Sequence, residues 1–172
     1  MTNNKRIESL DALRGEALGL RAWAYLNLVN NFQQTYKGNE NAPGVPLHIT
    51  ISPEDQGRGT VQQVYDQIIA DLTQAETLLT GKARASKERI DVSVVRGFRA
   101  RAALVMENWA AAATYAKSAR TGYTLMSNTV YQSRSGFSSI SNPEWMWGAL
   151  IPADKATIFA SFFSHMDATQ FG

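Results

Sequence analysis

The sequence predicts a mainly α-helical fold in which antiparallel helical pairs stack on one another, with one long loop inserted and an irregular aromatic segment at the end. Three observations carry that prediction. Apolar side chains recur at three- and four-residue spacings in four separate stretches, the period that draws a stripe along a helix. Turn-forming residues (Asn39, Asn41, Pro43, Gly44, Pro46, Pro53, Gly57 and Gly59) crowd into one interval, residues 33–59. Only Glu107 and Asn108 separate the last two stripes, and helices joined by so short a turn lie antiparallel. The 172 residues read as a single domain, 1–172, long enough for an ordinary core. Residues 9–33 and 60–80 make its first helical pair, 91–121 the second, and 122–172 an irregular remainder.

The first helix is expected from Ser9 to Phe32. Leu10, Leu13, Ala17, Leu20, Ala24 and Leu28 draw its stripe and are expected to be its packing face, with Ala17 and Ala24 letting a neighbouring helix come close. Gly15 and Gly19 read as close packing on a second face. In the loop that follows, Val45–Ile49 is expected to lie extended, and an irregular loop of this length in a compact domain is often functional. The second helix has the clearest start: Thr60 as N-cap and Gln63 three residues on form a capping box. Val61, Val64, Tyr65, Ile68, Leu72, Ala75 and Leu79 make its apolar face, while Asp66, Asp71 and Glu76 fall mainly on the other side. Gly81 stands where a left-handed residue ends the helix.

A polar hinge, Lys82 to Arg89, leads to a third helix over Val92–Met106. Val95, Phe98, Ala102 and Val105 share one side of it, extended by Ala100, Ala103 and Leu104. The fourth runs from Trp109 to Thr121 on a face of Trp109, Ala112, Ala113, Ala116 and Ala119, and Gly122 closes it. Past Tyr123 the periodicity fails. Tyr131, Phe137, Trp145, Trp147, Phe159, Phe162 and Phe163 stand among Ser, Asn and Gly. Glu144–Ile151 reads as a buried or edge strand, and Ile158–His165 as a short helix or extended piece.

Composition narrows the function classes. Hydrophobic residues make up 44% and charged residues 19%, a globular balance. The net charge of +2, with Lys and Arg scattered among Asp and Glu, argues against a nucleic-acid surface. The absence of cysteine removes disulfides, thiolate metal sites and cysteine nucleophiles. The opening residues carry no apolar signal region and no stretch is long enough to span a membrane. The expectation is therefore either a cytosolic protein or a chain lacking its targeting segment, and the ending at Met166–Gly172 reads as a cut chain.

No reactive constellation emerges. His48 and His165 are far apart and fit no metal-ligand spacing. Gly57-Arg58-Gly59-Thr60 precedes a helix but lacks the lysine and third glycine of a phosphate loop, so it reads as loop plus N-cap. Ser135-Gly136-Phe137-Ser138 does not fit a nucleophile elbow. Arg21, Arg99 and Arg101 lie in alanine-rich helices and are expected to bridge carboxylates, with Asp71 or Glu16 among the partners. Trp109 and Tyr65, on helix stripes, read as core.

Two resemblances follow from particular residues. Ala102-Ala103-Leu104, Asn108-Trp109, Ala112-Ala113 and Tyr115-Ala116 resemble the small-residue code of tetratricopeptide helical pairs, in which alanine crossings let helices stack and aromatic wedges fill between pairs. The order of motifs is similar to that of the SusD/RagB family. Its first helix is matched by Glu16-Ala17, Arg21-Ala22, Tyr25 and Leu28, and its turn by Pro43-Gly44-Val45-Pro46-Leu47. The next helix is matched by Arg58, Thr60-Val61, Val64-Tyr65, Ile68, Asp71-Leu72, Ala75 and Leu78-Leu79. Ala100-Arg101 with Leu104, then Trp109, Ala112 and Tyr115-Ala116, complete the set, which spans roughly residues 12–125.

This resemblance implies an internal fragment of a SusD-like helical superhelix. It also implies a role that is not enzymatic: glycan or nutrient binding in a Bacteroidetes-type outer-membrane uptake system, beside a SusC-like TonB-dependent transporter that receives the oligosaccharide. Surface exposure would come through a lipid anchor on a cysteine that this chain does not carry. No cofactor is implied. For the ligand, Trp and Tyr faces can stack on sugar rings while Asn side chains reach hydroxyls. The candidates are Tyr36, Asn39 and Asn41 in the loop, together with Trp145 and Trp147, which would share one face of an extended segment. The competing readings are a helical-repeat adaptor for a protein partner, with polar side chains lining its inner helices, and an enzyme with an unfamiliar helical site.

Overall fold

The structure is a computed structural model that describes residues 3–51, 54, 56–133 and 139–150. Its long helices are α1 (Asn3–Phe32), α2 (Val61–Leu79), α3 (Val92–Val105) and α4 (Trp109–Ala119). Strands β1 (Pro43–Pro46) and β2 (Arg58–Thr60) pair antiparallel just before α2, with Pro43 opposite Thr60 and Pro46 opposite Arg58. A five-residue helix, α5 (Asn128–Gln132), follows α4. Of the piece expected to lie extended, Val45 and Pro46 belong to β1, and Leu47–Ile49 continue past the end of the strand. The β2 partner was hidden because Arg58–Thr60 reads locally as loop and cap.

Local chemistry fixes the helix ends. The Thr60 side chain accepts from the Gln63 N–H while the Gln63 side chain accepts from the Thr60 N–H, so the capping box forms as read. Asp91 caps α3 through the Val94 N–H, and Asn108 caps α4 through the Ala111 N–H. Gly81 and Gly122 take φ of +73° and +87°, the left-handed turn that ends a helix.

The core lies between α1 and α2 and extends to α3. Every residue of the α2 stripe is buried, from Val61 to Leu79. The α1 face that meets it differs from expectation. Leu10, Leu13, Leu20 and Leu28 are exposed, at 56, 48, 41 and 41%, and so are Ala17 and Ala24. The buried line is Gly15, Gly19, Ala22, Leu26 and Val29, with Tyr25 beside it. These residues also alternate in steps of four and three, but they begin with side chains that occupy no room. A Cβ on Gly15 would stand 2.9 Å from Leu79 Cγ, and one on Gly19 would stand 2.5 Å from Ile90 Cδ1. Backbone proximity, not leucine content, selects this face.

Three other expectations are corrected. Asp71 is not on the solvent side of α2 but buried, at 3% exposure, because Arg21 of α1 reaches it with a two-pronged contact (Nε to Oδ2 and Nη2 to Oδ1, each 2.7 Å). Trp109 is not core: it is 61% exposed, as are its neighbours Ala113 and Ala116, while Ala112 and Ala119 alone of that face are buried. Leu104 is likewise exposed. Phe137, Phe159, Phe162, Phe163, His165 and the piece Ile158–His165 lie outside the described residues.

Candidate functional site

The five expected ligand residues divide between two places. Tyr36, Asn39 and Asn41 belong to a turn that covers the start of α2. The Asn39 N–H donates to Tyr36 C=O (3.0 Å), its side-chain amide donates to Thr35 C=O (2.9 Å), and its own carbonyl accepts from the Ala42 N–H (2.9 Å). Carbonyls of the same turn satisfy α2: Ala42 accepts from Val61 N–H and Glu40 from Gln62 N–H, each at 2.9 Å. The Tyr36 ring meets Tyr65 edge-on, centroids 4.9 Å apart, and its hydroxyl donates to Gln62 Oε1. Burial raises the Tyr36 hydroxyl above its ordinary pKa against the pull of Gln62, and burial, aided by Tyr36, pushes Tyr65 up to about 12. Tyr36 spends its hydroxyl on Gln62 of α2 and Asn39 its side-chain amide on the turn; Asn41 is exposed.

Trp145 and Trp147 lie elsewhere, in a segment that packs on α3 and on the hinge before it. The expected strand over Glu144–Ile151 is absent from residues 144–150, and Ile151 lies outside the described residues. The segment is held instead by long-range bonds. Arg84 donates to Met146 C=O (2.7 Å) and to the Tyr123 hydroxyl (3.0 Å), and Gly148 N–H donates to Lys87 C=O (3.2 Å). Trp147 Nε1–H donates to Glu88 C=O (3.0 Å), and its ring meets Trp23 at 5.5 Å and Phe98 at 5.8 Å, both edge-on. These bonds turn the expected polar hinge into an anchor.

The two tryptophans line one cleft of about 330 Å³. Val94, Gly97, Phe98 and Arg101 of α3 form one wall, and Glu144 through Trp147 form the other. Both tryptophans are half-buried. The Met126 N–H donates to Glu144 Oε2 at 3.0 Å, which fixes that carboxylate at the rim. Of the three arginines expected to bridge carboxylates, Arg21 takes Asp71 and Arg99 takes Glu76, but Arg101 is exposed and pairs with no carboxylate among the described residues. Glu16 is taken by Arg89 (2.9 Å) instead. Sequence reasoning missed the Glu76 cluster: Arg96 donates to it at 2.8 Å, and Arg99, whose guanidinium lies 4.2 Å from the Tyr115 ring centroid, donates from the other side. Burial raises the Glu76 carboxyl, but the hydrogen bonds and charges of Arg96 and Arg99 outweigh it and hold it below the ordinary carboxylate value.

Two further hollows are more apolar. One, about 380 Å³, lies between α3 and α4 over Ala100, Ala112, Ala113 and Ala116, walled by Leu104 and Trp109. The other, about 550 Å³, lies between the end of α1 and β1, with His48 and Arg58 at its edge. Arg58 donates to Gly44 C=O at 2.7 Å and Pro43 C=O at 3.3 Å, so the Gly57–Thr60 run serves the sheet. Among the described residues there is no group of three or more His, Cys, Asp or Glu able to hold a metal ion, and no helix long and apolar enough to cross a membrane.

Residues 1–104 match the family model described as SusD-like_3, "Starch-binding associating with outer membrane". The chain belongs to the SusD-like family. Solved structures agree with that assignment. A SusD-like carbohydrate binding protein from Bacteroides vulgatus ATCC 8482 superposes with a TM-score of 0.75 at 32% identity, covering 84% of this chain and 31% of its own. A SusD superfamily protein from Bacteroides thetaiotaomicron VPI-5482 gives 0.66 at 26% identity, covering 73% and 28%. Another from Bacteroides vulgatus ATCC 8482 gives 0.61 at 29% identity, covering 72% and 30%. The matched region is thus about a third of each of these SusD-like chains. A search of curated proteins finds no match.

Proposed function

We propose that this chain is the helical part of a carbohydrate-capturing component of an outer-membrane uptake system, and that it binds its ligand without cleaving it. The observation that carries this reading is the 32% identity, over 84% of the chain, with a SusD-like carbohydrate binding protein. The α1–α2 and α3–α4 pairs act as scaffold in one domain over residues 1–172. Ligand contacts fall at Trp145 and Trp147, where the segment 144–147 is tied on both sides before any ligand arrives; a wall already ordered loses little entropy on binding. Tyr36, Asn39 and Asn41 form a second contact surface, with Asn41 its most accessible member. The working partner is a SusC-like TonB-dependent transporter, to which the oligosaccharide is passed, and the protein sits at the cell surface through a lipid anchor.

The test has two arms. Calorimetric titration of the purified chain with oligosaccharides should show saturable binding, and a reducing-end assay on the same sugars should show no new ends. Bond cleavage would sink the non-enzymatic reading; co-purification with a β-barrel transporter would support the partnership.

One observation favours a second reading, a helical adaptor. The α3–α4 groove expected to be packed is open, with Trp109 and Leu104 exposed along an alanine floor that would let a helix approach closely. Its lining is apolar rather than the polar inner face such an adaptor was expected to show. An amphipathic peptide that binds with micromolar affinity and is displaced by Trp109→Glu would favour this reading over the first.

A further inference from the structure

Arg101 and Glu144 line the same cleft from opposite walls, yet form no ion pair with each other. Elsewhere the described arginines of α1 and α3 that face a carboxylate close on it, as Arg21, Arg96 and Arg99 do. Here the two charges stay apart across a gap floored by Phe98 and walled by tryptophan. Glu144 uses Oε2 for the Met126 N–H, and its Oε1 is not engaged by that bond. Gly97 leaves the floor open, for a Cβ built there meets nothing within 4 Å.

We propose that this cleft is a single-ring subsite for an uncharged pyranose, with Arg101 and Glu144 as its specificity-determining residues. This rests on the carbohydrate-binding reading above and adds where and what. A volume of about 330 Å³ lies at the small end of ligand clefts and suits one ring. The C–H face of a pyranose packs against the electron-rich indole faces. Neighbouring hydroxyls then meet complementary groups, the guanidinium donating and the free carboxylate oxygen accepting. Hydrogen bonds to charged groups are the stronger kind, and both side chains need them once water leaves. A uronic acid or sulfated ring would gain from Arg101 but bring its charge against Glu144. The paired signs select against charge.

Three variants isolate the subsite. Arg101→Ala removes the donor at an exposed position, and Glu144→Gln keeps the acceptor to Met126 N–H while removing the charge. Gly97→Leu fills the floor with a better helix former, so it should fold at least as well. The probes are a glycan array, then calorimetry with maltohexaose, cellohexaose and xylohexaose as neutral chains and trigalacturonate as the acidic one. The expected result is binding to a neutral chain and at least tenfold weaker binding to trigalacturonate. Arg101→Ala and Glu144→Gln should each weaken the neutral chain by about tenfold to a hundredfold, and Gly97→Leu should abolish binding with an unchanged or raised Tm. Neutral binding that all three variants leave intact would overturn the subsite while the carbohydrate reading stands. Preference for trigalacturonate, lost in Arg101→Ala, would overturn the uncharged class. No glycan bound anywhere on the array would bring down the carbohydrate reading itself.

Discussion

The two faces of α1 are built from similar periodicities and meet opposite fates. The outer stripe, Leu10 to Leu28, has the greater apolar mass and stands exposed; the inner line, Gly15 to Val29, starts with two glycines and an alanine and is buried. The difference teaches that hydrophobic content ranks faces poorly when two stripes coexist on one helix. What decides is how near the partner can come. At Gly15 and Gly19 the side chains of Leu79 from α2, Ile90 from the connection before α3 and Val95 from α3 reach the α1 backbone itself. Close packing there extends along the whole seam, and each large α2 side chain it buries, such as Ile68 or Leu72, contributes about 1.5–3 kcal/mol.

The largest expected effect comes where the two faces meet. Arg21 lies at the edge of the buried line and neutralises Asp71, which otherwise keeps only the Gln67 side-chain amide at 2.8 Å. Removing one partner of a buried pair leaves the other charge uncompensated. Arg21→Met should therefore cost about 3 kcal/mol in urea unfolding, below the largest such losses because Arg21 is 32% exposed. Arg21→Met with Asp71→Leu should recover most of it. A loss under about 0.5 kcal/mol for the single variant would mean the pair is solvated and the inner face less tightly closed than drawn.

The second test touches the seam alone. Gly19→Val forces methyl groups against Ile90 and Val95 and should cost about 2 kcal/mol through overpacking. The same side chain placed on the outer face, as Ala24→Val, should change stability by no more than about 0.5 kcal/mol. Equal losses at both positions would erase the distinction between the faces.

How much of this was legible follows from the range of each interaction. Helix limits were readable because their causes are local: Thr60 and Gln63 cap α2 within three residues, and Gly81 and Gly122 end helices by their own backbone freedom. The α2 face was readable because it has only one apolar stripe. The α1 face was legible only at Gly15 and Gly19, read as close packing on a second face; which stripe is buried was not, since a single sequence gives two stripes and no partner. Asp71 was legible as an arginine partner, and Arg21 takes it, but its burial and the holding of Glu76 by Arg96 and Arg99 were not legible, because those arginines come from α1 and α3 at separations of 20 to 50 residues. The candidate cleft was half legible. Trp145 and Trp147 stood out by type, but their setting depends on Trp23, Glu88 and Phe98, and Arg101 matters because it lacks the partner its neighbours have.

Glu76 sharpens the comparison by pH. Its folded pKa lies below the ordinary 4.5, so the pair with Arg96 and Arg99 stabilises fully above that unfolded value and fades as pH falls through the folded one. Glu76→Gln should cost about 1 kcal/mol at pH 7, discounted for the partial exposure of the three side chains, and less at pH 3, below the ordinary carboxylate value. Urea unfolding at the two pH values reads the difference. A cost that stays constant with pH would assign the loss to packing instead of charge.

The smallest effect lies at the turn between α3 and α4. Glu107 takes φ of +59°, a left-handed conformation that costs an L-residue about 1 kcal/mol and a glycine almost nothing. Its N–H donates to Leu104 C=O at 3.1 Å, and the following Asn108 N–H to Ala103 C=O at 2.9 Å, so the turn keeps its backbone bonds without the side chain. Glu107→Gly removes the strain but loosens the unfolded chain. The balance should be a gain of about 0.5 kcal/mol, raising Tm by a few degrees. A lower Tm would show that the Glu107 side chain holds the turn, and that the second helical pair, unlike the first, depends on a polar contact where the first uses bare backbone.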